Sequence, residues 1–341
     1  MPTTTRSSAP EPVREPKAEN SFIHHLAHSA VILGEGAVIE RLRRMPDITL
    51  DEHVVNSALI YDERGRAALE TICRQYIEIG RKYELPLLLS TPTWRAGRER
   101  IAAAGYAGRD LNGDNFRFLD ALRREYGDYS RNVFICGLIS CRGDAYKPEE
   151  ALTADVAQHV HAWQARALAD SGVDLLLAAT LPALSEAIGL ARALAATGLP
   201  YMISFVARPE GTLLDGTPLK DAVAAIDSQA APPLAYLVNC THASFFRRAV
   251  THERNSSPDV RKRVIGLLAN TAPLSPEELD NCAVLVEESP EQFGADVAAL
   301  QTEMGLRILG GCCGTDDRHI DSLARRLVAG QKTEAQNGAT K

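Results

Sequence analysis

Short runs of apolar, often β-branched residues alternate along this chain with longer stretches of helical period. Eight runs stand out: "AVIL" at 30–33, "PLLLS" at 86–90, "NVFICGL" at 132–138, "VDLLLAA" at 173–179, "PYMISFV" at 200–206, "LAYLVN" at 234–239, "RVIGLL" at 263–268 and "LRILG" at 306–310. Each is apolar throughout rather than on alternate residues, the pattern of strands buried on both faces of a parallel sheet. Over 153–170, Thr153 is placed to cap a helix whose Val156, Val160, Trp163 and Ala167 recur on one face. After the last run, Thr315 is placed to cap a helix with Asp316 and Asp317 in its positive first turn. Ile320, Leu323, Ala324 and Leu327 form its apolar stripe. "RGRAALETICRQYIEIGRKYE" reads as an amphipathic helix with a solvated charged face. Eight strands with helices between them predict an α/β protein, a single (β/α)8 TIM barrel; a doubly wound open sheet is the alternative.

Composition narrows the class. The chain has 341 residues and a formal net charge of -7, which argues against a nucleic-acid surface and against attraction to anionic membranes. No apolar run is long enough to span a bilayer. The seven cysteines are Cys73, Cys136, Cys141, Cys240, Cys282, Cys312 and Cys313. They make no short-spaced disulfide framework and read as reduced thiols of a cytoplasmic protein. The first residues hold no apolar signal core and carry Glu11, Glu15 and Glu19, unlike a secretory or mitochondrial leader. The expected organisation is a disordered leader over 1–22, a barrel over 23–330 and a disordered tail over 331–341.

Candidate chemistry gathers where two strands end. Cys240 follows the sixth strand in "LVNCTH", and Cys312 and Cys313 follow the eighth in "ILGGCCGT". In a barrel these ends share the C-terminal face, where active sites lie. Three thiolates from two loops can form a tetrahedral zinc site with one position open, the pattern of catalytic zinc. Gly310 and Gly311 would allow a sharp turn and a close approach of substrate. The alternatives are ordinary core thiols and a vicinal disulfide, whose geometry is poor. Cys73, Cys136, Cys141 and Cys282 read as core or surface thiols. Asn239 would orient the loop or touch substrate. His242, two residues past Cys240, suits a position behind the metal better than a fourth ligand. Asp144 in "RGDAY" reads as a loop cap.

"VNCT" at 238–241 and "GGCCGT" at 310–315 resemble the zinc-dependent homocysteine S-methyltransferase family. "SFVARPEGTLLDGTPL" at 204–219, the stretch from "RGDAY" to "GVDLLL", and "STPTWRA" at 90–96 extend the resemblance over roughly residues 28–330. It implies a (β/α)8 barrel in which Cys240, Cys312 and Cys313 bind Zn2+. It places Asn270 near the substrate, and Thr180 in the segment after the fourth strand. Two departures concern the acceptor's amino group. Gly34 stands where the family has Asp, with Glu35 next to it, and Ala179 stands where the family has Glu. Glu35 would take over if the loop shifts by one residue.

The implied reaction moves a methyl group from a small onium donor, of S-methylmethionine, S-adenosylmethionine or betaine type, to a zinc-bound thiol. Homocysteine is the default acceptor, giving methionine. Three thiolates on a divalent ion leave a formal charge of about -1, which keeps a bound sulfur electron-rich. With no Gly-rich nucleotide loop in the sequence, and a folate route needing extra domains, a small onium donor is the expectation. Trp94, Phe205 and Tyr146 are candidates to meet a cationic donor, each against the simpler role of packing. The same chemistry on another thiol, and a non-catalytic zinc-binding barrel, are the competing readings. The partners expected are a small thiol, a methyl donor and, as an open option, further copies of the chain.

Overall fold

The computed structural model describes residues 21–275, 278 and 287–338. Eight parallel strands close on themselves in the order β1 to β8, a (β/α)8 barrel. The strands are β1 Ile32–Gly34, β2 Leu87–Ser90, β3 Val133–Ile139, β4 Leu175–Leu181, β5 Tyr201–Phe205, β6 Ala235–His242, β7 Val264–Asn270 and β8 Ile308–Gly311. All eight apolar runs became strands, and the open-sheet alternative falls because β1 pairs with β8. Alternate residues serve two cores. Ile32, Leu88, Leu175, Leu177, Met202, Leu237 and Ile308 fill the barrel. Leu33, Leu87, Leu89, Ile135, Leu176 and Ile203 face the surrounding helices. A continuous apolar run is what such two-sided burial requires.

The helix Phe22–His28 lies at the N-terminal end, where Phe22 packs into the interior cluster and edge-on to Phe134. Its cap, Ser21, precedes the expected start of the barrel. At the other end the last helix, Asp317–Gly338, runs on past the expected boundary at 330. The remainder of the leader and Cys282 lie outside the described residues.

The helix Ala154–Ser171 forms where its periodicity indicates but turns another face inward. Ala157, His161, Gln164, Ala165 and Leu168 are buried, while Val156 and Trp163 are 48% and 39% exposed. Polar groups on a neighbouring loop and on the helix Leu184–Ala195 explain this. Gln164 donates to Thr93 O at 2.8 Å, and His161 Nε2 pairs with the buried Glu186 at 2.8 Å. Thr153 precedes the helix without a side-chain capping bond. The other predicted cap also moves by one residue. Asp316 Oδ1 accepts from Arg318 N at 2.9 Å, whereas Thr315 ties its own loop together. The stripe Ile320, Leu323, Ala324 and Leu327 is buried as expected.

Candidate active site

Three sulfurs converge at the C-terminal mouth. Cys240, Cys312 and Cys313 place their Sγ atoms within 4.8 Å of one another, with Cys240 and Cys312 at 2.8 Å. Cys240 is not beyond β6 but inside it, at a bulge where the β6–β7 register shifts between Asn239 and Thr241. Its φ of 52° is left-handed, a conformation that strains a residue with a side chain and clusters at functional sites. The bulge turns this sulfur toward β8.

Cys312 and Cys313 leave the end of β8, and their loop is held by backbone bonds. Gly311 N donates to Glu35 O at 2.9 Å, Cys312 N to Ala269 O at 2.7 Å, and Thr271 N to Cys313 O at 3.2 Å. Thr315 Oγ1 donates to Cys312 O at 2.6 Å and accepts from Ala37 N at 2.9 Å. The two glycines before the thiols serve close packing rather than the turn. A Cβ on Gly310 would lie 2.7 Å from Gly34 Cα, and one on Gly311 would lie 2.4 Å from Thr315 Oγ1. The left-handed turn falls at Gly314, φ 83°.

Asn239 organises the site and has no side-chain capacity left for substrate. Its Oδ1 accepts from Thr180 N at 2.9 Å and Ser204 Oγ at 2.7 Å. Its Nδ2 donates to Thr180 Oγ1 at 2.8 Å and faces Cys240 Sγ at 3.4 Å. Two acceptor sites and two donors exhaust an amide. Thr180 is itself left-handed, φ 60°, where β4 loses register with β5. One amide therefore ties together both strained residues of the mouth.

His242 is also fully engaged. Nδ1 accepts from Ser244 N at 3.2 Å, which leaves Nε2 to donate to Glu288 Oε1 at 2.8 Å. It caps the helix Ala243–Thr251 and does not face the thiols as a ligand. Of the three aromatic candidates, Phe205 is fully buried and stacked on Tyr236. Trp94 carries the Arg95 guanidinium over its ring at 4.3 Å. Of the three, Tyr146 alone packs on the cluster of Val206, Leu214 and Cys240, where Cys312 and Cys313 also lie. Asp144 caps its loop as expected, accepting from Tyr146 N at 2.9 Å.

Among the described residues, three buried oxygens at this rim have no partner: Glu35 Oε2, Asn270 Oδ1 and Thr271 Oγ1. Glu35 as a residue is partly exposed, but its carboxylate is turned inward. Oε1 accepts from Ser90 N at 2.9 Å. Burial raises its pKa to about 7, against the lowering effect of Ser90. Thr271 is the residue that sequence reasoning missed. It follows Asn270 directly, and nothing in its local pattern marks it as facing the mouth.

The thiols are poor acids as they stand. The Cys312 pKa is pushed well above the usual range, first by the bond to Cys240 and then, against the opposing bond to Cys313, by burial. Cys136 and Cys141 are buried thiols pushed up to about 12 and about 11, chiefly by burial, as expected of core residues. Cys73 is buried and raised likewise. The mouth cluster differs from these in having three sulfurs around one point. Tetrahedral zinc at about 2.3 Å from each sulfur separates them by about 3.8 Å. The donor set fits that geometry once Cys240 and Cys312 part by about 1 Å from their 2.8 Å contact.

The homocysteine S-methyltransferase family model matches residues 32–327, nearly the whole barrel. The chain belongs to this family. Among curated relatives, the Escherichia coli homocysteine S-methyltransferase is 30% identical over 199 residues, covering 54% of this chain and 57% of that protein. The Bacillus subtilis homocysteine S-methyltransferase YbgG is 29% identical over 185 residues, 53% of this chain and 56% of that protein. Methionine synthase of Mycobacterium tuberculosis is 24% identical over 324 residues, 90% of this chain but 25% of that protein. The matched part of this homocysteine S-methyltransferase family member thus spans well under two thirds of each. Among solved structures, the oxidised form of the E. coli homocysteine methyltransferase MmuM superposes with a TM-score of 0.72 at 20% identity, covering 91% of this chain and 100% of that one. Its metallated form gives 0.70 at 21% identity, with 88% and 98% covered. These likenesses establish the fold. No helix among the described residues is long and apolar enough to cross a membrane.

Proposed function

We propose that this protein is a zinc-dependent S-methyltransferase that moves a methyl group from a small onium donor to the thiol of homocysteine, giving methionine. The observation that carries the reading is the convergence of Cys240, Cys312 and Cys313 within 4.8 Å at the barrel mouth. The family membership and the metallated form of MmuM support it. Zinc held by the three sulfurs would remove the proton from a substrate thiol and keep its sulfur electron-rich in the open position. Everything else falls to the chain's own groups. Asn239 and the bulge at Cys240 hold the first sulfur in place. Glu35 Oε2 and Asn270 Oδ1 are free acceptors for the acceptor's ammonium group, which would supply the partner that the buried carboxylate lacks. As the new sulfur–methyl bond forms, the bond from methyl to the onium atom breaks and its electron pair stays with the donor, which leaves neutral. The transfer cancels the donor's positive charge against the negative charge of the reacting thiolate, and a mouth crowded with negative charge favours discharging that sulfur.

Ala179 favours a second reading, the same chemistry on a thiol without an α-amino group, because it puts no carboxylate near the end of β4. Zinc-loaded protein incubated with homocysteine and each onium donor in turn decides between them. Methionine detected by mass supports homocysteine. Its absence, with methylation of another thiol, supports the second reading. Bound zinc with no turnover on any thiol overturns both in favour of a binding protein.

A further inference from the structure

The segment between β3 and the helix Ala154–Ser171 crosses the mouth and carries Tyr146. That side chain packs on the cluster of Val206, Leu214 and Cys240, the same cluster on which Cys312 and Cys313 lie. The segment is held from several sides. Arg95, 9% exposed, donates through Nη1 to Cys141 O at 2.9 Å, to Arg142 O at 3.1 Å and to Gly143 O. Arg100 Nη2 donates to Arg142 O at 3.0 Å. From below, the fully buried Glu186 accepts from Arg142 N at 2.7 Å and from Leu152 N at 3.2 Å, and His161 supports it.

Two buried charges on one short segment call for a reason. A buried guanidinium and a buried carboxylate are costly unless hydrogen-bonded, and apolar packing would stabilise a loop as well. What polar anchoring adds is a defined backbone path. The part of that path that meets the site is Tyr146.

We propose that Tyr146 is a positioning residue of the thiol centre: its hydroxyl donates a hydrogen bond to Cys240 Sγ, and Arg95 and Glu186 set the loop that holds it there. This rests on the metal-centre reading above. Three thiolates in a buried mouth concentrate negative charge. A donor aimed at one of them disperses that charge and fixes that sulfur's orientation, as groups behind metal ligands commonly do. Asn239 Nδ2 approaches the same sulfur from the strand side, so Cys240 is held by two donors from two elements.

The test uses the full chain loaded with zinc or with cobalt(II), whose sulfur-to-metal absorption reports thiolate electron density. Tyr146→Phe keeps the ring and its packing. The expected result is a roughly 10–100-fold loss of zinc affinity in chelator competition, the range for residues behind metal ligands. The charge-transfer band of the cobalt form should move to lower energy, because an unbonded thiolate holds its electrons less tightly. Arg95→Lys should shift both readouts the same way and less. In the double variant the two effects should fail to add, since Arg95 acts through Tyr146. Wild-type affinity with an unmoved band in folded Tyr146→Phe overturns the proposal. Additive effects of the two substitutions remove Arg95 from it. Wild-type protein that binds neither metal defeats the metal-centre reading itself, a separate outcome visible before any variant is made.

Discussion

Glu35 is an ionisable group whose charge meets no opposite charge among the described residues. Its carboxyl lies at about 7 rather than 4.5 because burial outweighs the Ser90 bonds. The folded pKa lies above the unfolded one, so folding favours the protonated acid. Its contribution to stability is full below about 4.5 and is lost as pH rises through about 7, a loss on the order of 3 kcal/mol. Glu35→Gln should therefore flatten the fall in melting temperature between pH 5 and pH 8. Parallel melting curves for wild type and variant would falsify the burial of this charge. With an amino-acid acceptor the sign reverses: the ammonium favours ionised Glu35, so binding should weaken as pH falls below about 7. Cys312→Ser tests the other end of the site. It should remove most bound zinc, and an unchanged metal-to-protein ratio would refute Cys312 as a ligand.

Elements, rather than single residues, decide which side chains face the mouth. The bulge in β6 turns Cys240 toward β8, and Gly34 and Gly310 let β1 and β8 approach closely beside it. Gly310→Ala would press a methyl against Gly34 backbone, which cannot yield as a flexible side chain can. The expected cost is about 1–3 kcal/mol in urea unfolding; a change under about 0.5 kcal/mol would show that the two strands have slack. The helix Ala154–Ser171 gives the opposite case. Trp163 faces solvent, so Trp163→Gln should change stability by no more than about 0.5 kcal/mol. A loss of several kcal/mol would restore the face indicated by periodicity.

On the scale of the whole molecule, the core and the chemistry are separate. Apolar residues fill the barrel, with Phe22 at its N-terminal end, and the thiols sit at the opposite rim. Removing metal with a chelator should therefore leave the far-ultraviolet circular dichroism unchanged. The melting temperature should fall by a few degrees, the mass-action loss of a ligand bound only by the folded state. Global unfolding on chelation would mean that the metal is part of the fold.

The barrel was legible because two-sided burial writes itself into the chain as eight unbroken apolar runs. The three thiols were legible because strand ends share one face whatever the side chains between them. The exact ends of β4 and β6 were not, since the bulges at Thr180 and Cys240 depend on pairing with β5 and β7. The inward face of Ala154–Ser171 was not, because His161 and Gln164 are buried by partners, Glu186 and Thr93, that lie 25 and 71 residues away. Phe205 and Tyr146 look alike as aromatics in sequence, yet one is core and the other meets the thiols. Local pattern determined which segments form strands and helices, because that depends on neighbouring residues. The partners of buried polar groups were decided only by the closed barrel, because those hydrogen bonds join segments far apart in the chain.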